Sequence, residues 1–195
     1  MLGTFEEAQV FFPKYLSPEN QRELYSELKQ FPEKLNYYLP SGAFSQDILQ
    51  GDGWHGFVVI DFETLARKTI SAVVLSNSCD IDQANQNGSS RKILFAPIVE
   101  LERISQLLTG TEERRADKVA AVRRQRVSTM FFLPEIPGAM KESVALLDDA
   151  YQQPLNRFLT SDRRKLFTLS QSAFWVFLIK LSIHACRANE GIARK

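Results

Sequence analysis

The most reactive side-chain types in this sequence follow a predicted strand, where Cys79 and Asp80 are adjacent and Ser76 and Asp82 lie close by. A thiolate or carboxylate at the end of a strand can serve as a nucleophile or as a general acid or base. A cysteine nucleophile, however, needs a base or a positive neighbour that lowers its pKa. No histidine lies within twenty residues of Cys79, so His55 or His184 would have to approach it in space.

The same segment has a structural interpretation, which the sequence favours. Cys79 would be a small buried apolar residue, while Asn77 and Asp80 hydrogen-bond to N–H groups of their own loop. Asp80 and Asp82 are two positions apart, so in an extended segment their carboxylates point to opposite faces. No spacing of ligand types matches a zinc or calcium motif. We therefore expect neither a metal nor another cofactor.

Positive charge is concentrated in residues 103–128, which contain seven Arg or Lys residues and three acids, a local charge of +4. Residues 1–60 contain eight acids and four bases, a local charge of −4. The candidate phosphate-binding side chains are Arg114, Arg115, Lys118, Arg123 and Arg126. The alternative is a solvated helix whose charges pair within the chain, for example with the acidic N-terminal helix.

Composition limits the class of protein. The chain has 195 residues, of which 44% are hydrophobic and 24% charged, so it can bury a core. Its net charge of +1 gives no global argument for nucleic acid or acidic membranes. Two cysteines cannot form a disulfide framework. With acids near its first residue and no uninterrupted apolar span, the sequence predicts a cytoplasmic protein outside the membrane.

Helical signals mark four parts of the chain. Ser17 and Pro18 are typical of a helix start, and Leu24 and Phe31 continue at helical spacing. Two further helices are predicted, one at 101–108 and one from a cap at Thr111 to about residue 126. A long apolar helix of about 25 residues is predicted from Ser161 and Asp162 onward.

Short β-branched and aromatic runs predict five strands, at 56–62, 70–76, 92–99, 128–134 and 143–147. Polar turns separate them, and no regular helix follows each strand. This order favours a small antiparallel sheet or barrel over a parallel sheet.

Two of these strands carry a recognisable pattern, VVLSNSCDI at 73–81 and ILFAPI at 93–98. Together with the early Gly-Asp of GDGWHGFVVIDF (51–62), they resemble the PemK-like family, which includes the MazF and PemK ribonuclease toxins. The similarity covers about a quarter of the chain, residues 51–99. It implies a small, strongly curved β-barrel and, in the toxins, RNA cleavage.

A second similarity extends over about residues 51–187. The Ser-Cys-Asp-Ile core, the API strand, a later FLP and a helical tail ending in a basic residue resemble a group of uncharacterised bacterial proteins. Their typical motif is LSQ-x-CDI. This resemblance implies a bacterial or phage origin.

The chain departs from the toxin pattern at both usual catalytic positions. The toxins place an Arg-Pro just before the LSN strand and a Thr or Ser after the PI pair. Here Arg67 lies several residues earlier, and the second position is Val99, which can neither donate to a phosphate nor carry a proton. We therefore predict a binding protein. The alternative is a ribonuclease in which Arg67 or Arg91 replaces the missing arginine and Asp80 or His55 is the acid or base.

The resulting prediction is one α+β domain, residues 1–195. It consists of a helical arm (1–40), a curved antiparallel PemK-like β-barrel (41–160) with a helical insertion (101–127), and a C-terminal helix (161–190). We expect a non-catalytic component of a bacterial or phage defence or toxin–antitoxin system, with nucleic acid (RNA included) or another protein as partner. The turn residues Ser76, Asn77, Cys79 and Asp82 would shape the binding groove. The sequence leaves the oligomeric state open.

Overall fold

The computed structural model describes residues 17–31, 36–61, 63–82 and 91–186. In these ranges the chain has an α+β fold with one antiparallel sheet of seven strands. The strands are β1 (Gly53–Ile60), β2 (Arg67–Val74), β3 (Lys92–Glu100), β4 (Met130–Leu133), β5 (Ser143–Leu146), β6 (Tyr151–Pro154) and β7 (Arg164–Phe167). The helices are α1 (Pro18–Lys29), α2 (Ser78–Ile81), α3 (Leu101–Leu107), α4 (Glu112–Arg123), α5 (Leu155–Leu159) and α6 (Gln171–Cys186).

The five predicted strands are all present, with ends shifted by a few residues. Residue 62, the predicted end of the first, lies outside the described ranges. The short strands β6 and β7 were not predicted. The expected α+β class and antiparallel sheet are confirmed.

The long C-terminal helix predicted from Ser161 is wrong at its beginning. Residues 164–167 instead form β7, which pairs with the start of β1. The helix begins only after Ser170, whose Oγ accepts a hydrogen bond from the backbone N of Ala173 at 3.2 Å. This serine caps the helix, and 16 residues of α6 lie in the described part of the chain. The predicted helix end at residue 190 lies outside the described residues.

The first helix and the insertion are as the sequence predicts. Ser17 Oγ accepts a hydrogen bond from Asn20 N at 3.2 Å, as an N-cap does. Thr111 Oγ1 accepts from Arg114 N at 3.4 Å, so α4 starts at the predicted cap. The Leu24 side chain of α1 is buried, and α1 packs against α6. Pro32, the predicted stop of α1, lies outside the described residues.

The sheet follows the order β4-β5-β3-β2-β1-β7, with β6 pairing beside β5 on the outer edge of β3. Among the described residues, no pairing joins the end strands β4 and β7, so the sheet is not closed. It is nevertheless curved. Val58 N of β1 donates to Gln153 Oε1 of β6 at 2.9 Å, although two strands separate β1 from β6. In a flat sheet these strands would lie roughly 14 Å apart.

This curved part of the sheet encloses an aromatic core. The ring of Phe57 stacks on those of Phe95 and Phe158, with 4.2 Å between centroids in each pair. Trp54 contacts Phe158 edge-on at 5.8 Å. Each buried side chain of this size stabilises the fold by roughly 1.5–3 kcal/mol.

Two further apolar clusters complete the core. On the other face of the sheet, Val73, Ala96 and Phe131 pack with Ala173 and Phe177 of α6. At the β4–β5 end, α3 and α4 cover the sheet through a cluster of Leu101, Val122, Phe132 and Val144. The sheet is therefore covered on both faces, which fixes the positions of the surfaces described below. No helix in the described ranges has the length and apolar character needed to cross a bilayer.

Candidate functional site

The basic candidate residues on α4, and Arg126 just after its end, are exposed. This holds for each candidate phosphate-binding residue, namely Arg114, Arg115, Lys118, Arg123 and Arg126. Arg123 is engaged by an acid, because its Nη2 lies 2.7 Å from Glu142 Oε2 and its Nε donates to both carboxylate oxygens. This hydrogen bonding raises the pKa of Arg123. The other four form no ion pair with an acid of the described part of the chain.

The first half of α4 extends beyond the sheet. Arg115 and Val122 are seven positions apart, so they lie on the same face of the helix, with Lys118 beside them. Val122 is buried in the core, yet Arg115 and Lys118 are exposed. The face that packs against β4 near Val122 is therefore open to solvent two turns earlier. The exposed side chains of Arg114, Arg115 and Lys118 on this first half of α4 are therefore accessible to a ligand.

The turn after β2 is held by hydrogen bonds from backbone N–H groups to side-chain oxygens. Asn77 Oδ1 accepts from Cys79 N at 3.0 Å, and Ser76 Oγ accepts from Leu94 N at 2.8 Å. The predicted loop-stabilising role of Asn77 is confirmed. The predicted burial of Cys79 is wrong, because its side chain is exposed. The Arg91 guanidinium donates to the Asp82 carbonyl oxygen, which ties the turn to the start of β3.

The turn and the basic helix lie at opposite ends of β3. Because β2 and β3 are antiparallel, the turn after β2 is beside the start of β3, whereas α3 and α4 follow its end. A strand of nine residues is roughly 30 Å long. The described residues of the turn and of α4 therefore do not line one groove.

Of the four residues named for the ribonuclease alternative, Arg67, Asp80 and His55 are separated from one another, whereas Arg91 contacts the Asp82 carbonyl oxygen in the turn that contains Asp80. Arg67 begins β2 opposite Ile60, and Asp80 follows the end of the same strand, so about 25 Å of β2 lies between them. His55 is opposite Ser71, between these two ends. Arg67, Asp80 and His55 do not form one catalytic centre.

His55 belongs to a different polar cluster. Its Nδ1 lies 3.2 Å from Ser71 Oγ, and in the sheet it is directly opposite both Ser71 of β2 and Arg164 of β7. A β-bulge at Gly56 follows at once, with φ of +112°. An added Cβ there would lie 3.0 Å from Arg163 Cα, so glycine alone fits. The bulge sets the faces to which His55 and the rest of β1 project.

Beside this cluster is a groove of about 450 Å³, which we call the β7 groove. Its floor is the sheet, with Ser71 and Arg164, and its wall is the loop at 135–141. Its charged residues are Arg164, Lys141, Glu100 and Glu135. Lys141 Nζ lies 3.5 Å from Glu100 Oε2, so two of the four charges compensate each other directly.

Sequence reasoning did not find this cluster. Arg164 lies in a segment predicted as helix, and Ser71 is one polar residue inside an apolar strand. The sequence carries only a weak signal for this cluster, because alternation along β2 shows no more than that Ser71 and Val73 lie on one face of the strand. The partners of Ser71 follow from strand register, which no local pattern specifies.

Among the described residues, no three His, Cys, Asp or Glu side chains come close enough together to hold a metal ion. Comparison with known proteins brought no match, either to a protein-family model or to a curated protein.

Proposed function

We propose that the protein is a non-catalytic, RNA-binding component of a bacterial or phage defence or toxin–antitoxin system, acting as one domain in the cytoplasm. RNA is bound by the exposed half of α4. The observation that carries this proposal is the exposed positive charge of Arg114, Arg115 and Lys118 on α4, and of Arg126 just after it, none of which pairs with an acid in the described part of the chain. Arg123, by contrast, pairs with Glu142. Free guanidinium and ammonium groups bind phosphates and release counterions. Arg123 therefore contributes less than its four neighbours.

The curvature of the sheet supports a PemK-like barrel as the underlying fold. The hydrogen bond between Val58 and Gln153 links the first and last strands of β1-β2-β3-β6 around an aromatic interior. The LSN segment directly follows β2 and the API segment lies on β3, and these are the segments that carry the resemblance to PemK-like proteins and to the LSQ-x-CDI group. This resemblance favours RNA over DNA as the ligand.

The test is the salt dependence of binding to a fluorescent single-stranded RNA. Replacing Arg114, Arg115 and Lys118 together by Gln should weaken binding and reduce the slope of log K against log salt by about 2, since each phosphate contact to a single strand contributes roughly 0.7. The matched control replaces three exposed bases elsewhere, Lys68, Lys92 and Arg157, by Gln.

Equal effects of the two triple variants would show that α4 is not the binding surface. Absence of RNA binding by the wild-type protein would overturn the proposal. A salt-insensitive interface with another protein would then be the better description of the chain, because apolar interfaces depend little on counterions.

RNA cleavage is the second candidate, and one observation favours it. The imidazole Nδ1 of His55 lies 3.2 Å from the Ser71 hydroxyl, and the residue directly opposite His55 on the neighbouring strand is Arg164. A fluorogenic RNA turnover assay distinguishes the possibilities. Loss of cleavage in His55→Ala with retention in Arg67→Ala and Asp80→Ala would assign the reaction to the β7 groove. Loss in Arg67→Ala would instead support the set predicted from sequence, and no cleavage at all would remove this candidate.

A further inference from the structure

We propose that the β7 groove binds a small molecule that carries one anionic group, a carboxylate or a phosphate, on an apolar body. This binding is independent of the RNA proposed for α4. At the polar end of the groove is a row of three residues: Arg164 of β7 and Ser71 of β2 belong to the lining, and His55 lies between them on β1, beside the groove.

The three side chains of this row are close enough to share one ligand group. Residues directly opposite each other on antiparallel strands have Cβ atoms about 5 Å apart. His55 is opposite both of its neighbours, so the row spans roughly 10 Å. The long side chain of Arg164 covers part of this distance.

The His55–Ser71 pair offers a donor in either tautomer. If Nδ1 accepts from the Ser71 hydroxyl, the proton of the neutral ring is on Nε2, which can donate to a ligand. If Nδ1 donates instead, the hydroxyl hydrogen of Ser71 is free for the ligand. In both cases the pair keeps one hydrogen-bond donor, either on Ser71 in the groove lining or on His55 beside it.

Arg164 supplies the charge. Its side chain is exposed, lines the groove and forms no ion pair with an acid of the described residues. A guanidinium binds a carboxylate or phosphate through two parallel hydrogen bonds, which makes it the usual residue for such a group.

The rest of the groove is suited to an apolar body. Ile98, Ile136, Met140 and Leu166 line it and also pack against the core cluster beneath α6. A volume of about 450 Å³ is in the range of small-molecule sites, which typically combine apolar walls with a few polar groups.

The charge balance of the groove favours a ligand with a single anionic group over a long polyanion. Arg164 and Lys141 face Glu100 and Glu135, so the groove has no net formal charge. A chain of phosphates would meet both carboxylates, whereas a single anionic group needs only the Arg164 end. The groove therefore differs from α4 in the class of ligand it selects.

The chain has two histidines, so the imidazole signals in ¹H–¹³C NMR spectra report on the site directly. The probes are hexanoate, hexyl phosphate, inorganic phosphate and hexanol. We expect hexanoate or hexyl phosphate to shift the His55 signal in a saturable way, while the signal of His184 on α6 stays constant. The stronger of the two identifies the anionic group. Inorganic phosphate and hexanol, which each lack one half of the ligand, should bind more weakly.

Arg164→Gln should weaken binding of the preferred probe about tenfold or more, because it removes a charge-assisted contact. Arg157→Gln, an exposed arginine on α5, is the matched control and should leave binding unchanged. An unmoved His55 signal, equal binding of hexanol, or unaltered affinity in Arg164→Gln would each overturn the proposal. These results are independent of the RNA measurements on α4, which use different variants.

Discussion

Lys165 Nζ of β7 lies 2.8 Å from Asp52 Oδ2, and this ion pair is withdrawn from water, with side-chain exposures of 12% and 0%. The same ammonium donates to the Phe44 carbonyl oxygen at 2.7 Å and to Thr168 Oγ1 at 3.1 Å. Asp52 Oδ2 also accepts from Leu49 N at 2.8 Å. The pair therefore links the segment before β1 to β7, the strand that carries Arg164.

Lys165→Met should destabilise the protein by roughly 3–5 kcal/mol, because it leaves the Asp52 carboxylate buried without its partner. Urea unfolding followed by circular dichroism measures this loss. The control is Lys141→Met, since Lys141 has a side chain 68% exposed and pairs with Glu100 at 3.5 Å. Its removal should cost less than about 1 kcal/mol. If both variants lost the same free energy of unfolding, burial would not be the reason that the Lys165–Asp52 pair stabilises the fold.

The pH dependence of stability should carry a signature of Asp52. Burial raises the pKa of its carboxyl above the ordinary 3.8, although the hydrogen bond from Lys165 partly opposes this. The folded state then holds a proton more readily than the unfolded state, so this group makes stability fall as pH rises above 3.8 toward the folded pKa. Asp52→Asn should lose this slope. If the free energy of unfolding of the wild-type protein and of Asp52→Asn changed with pH in the same way, Asp52 would not be the source of the slope.

Gln125 protects the outer edge of the sheet. Its Nε2 donates to Phe132 O at 2.8 Å, and its Oε1 accepts from Phe132 N at 3.1 Å, as a neighbouring strand would. Gln125→Ala should cost about 1–3 kcal/mol and expose the β4 edge to pairing with other chains. Urea unfolding and light scattering measure the two effects. Gln152→Ala, at an exposed position of β6, is the control. A variant at position 125 that stays as stable and monodisperse as this control would refute the protective role.

The elements predicted correctly are those with local signals. Ser17 and Thr111 cap their helices through hydrogen bonds within four residues, and β2 and β3 contain runs of β-branched and other apolar residues. These signals act within a few residues, so the sequence shows them directly.

The errors have a common physical cause, which is dependence on distant partners. The segment Arg164–Phe167 has no strand pattern of its own and is extended because it pairs with Gly53–His55, more than a hundred residues earlier. The row of Arg164, His55 and Ser71 depends on the same pairing and on the bulge at Gly56. Charge clusters such as that of α4 can be counted in a sequence, whereas a site assembled by register cannot.

A buried lysine joins α6 to the end of α4. Lys180 is 5% exposed, and its Nζ donates to the Gln125 carbonyl oxygen at 2.6 Å. Gln125 directly follows the C-cap of α4 and has a left-handed backbone with φ of +55°. A positive charge at a helix C-terminus is favourable, but loss of hydration lowers the pKa of Lys180 to about 8.

The titration of Lys180 should make the protein more stable as pH rises from about 8 toward 10.5, its ordinary pKa. In this window the unfolded chain binds a proton that the folded state has released, so the free energy of unfolding increases with pH. Tyr37, whose hydroxyl is 3.5 Å from Gln125 Nε2, does not interfere below pH 10, because burial raises its pKa above 10.0. Lys180→Met should remove the increase between about pH 7.5 and about pH 9.5, whereas Lys92→Met, at an exposed lysine, should retain it. Urea unfolding at the two pH values measures the difference. A rise of the same size in the Lys180 variant would show that another group is responsible.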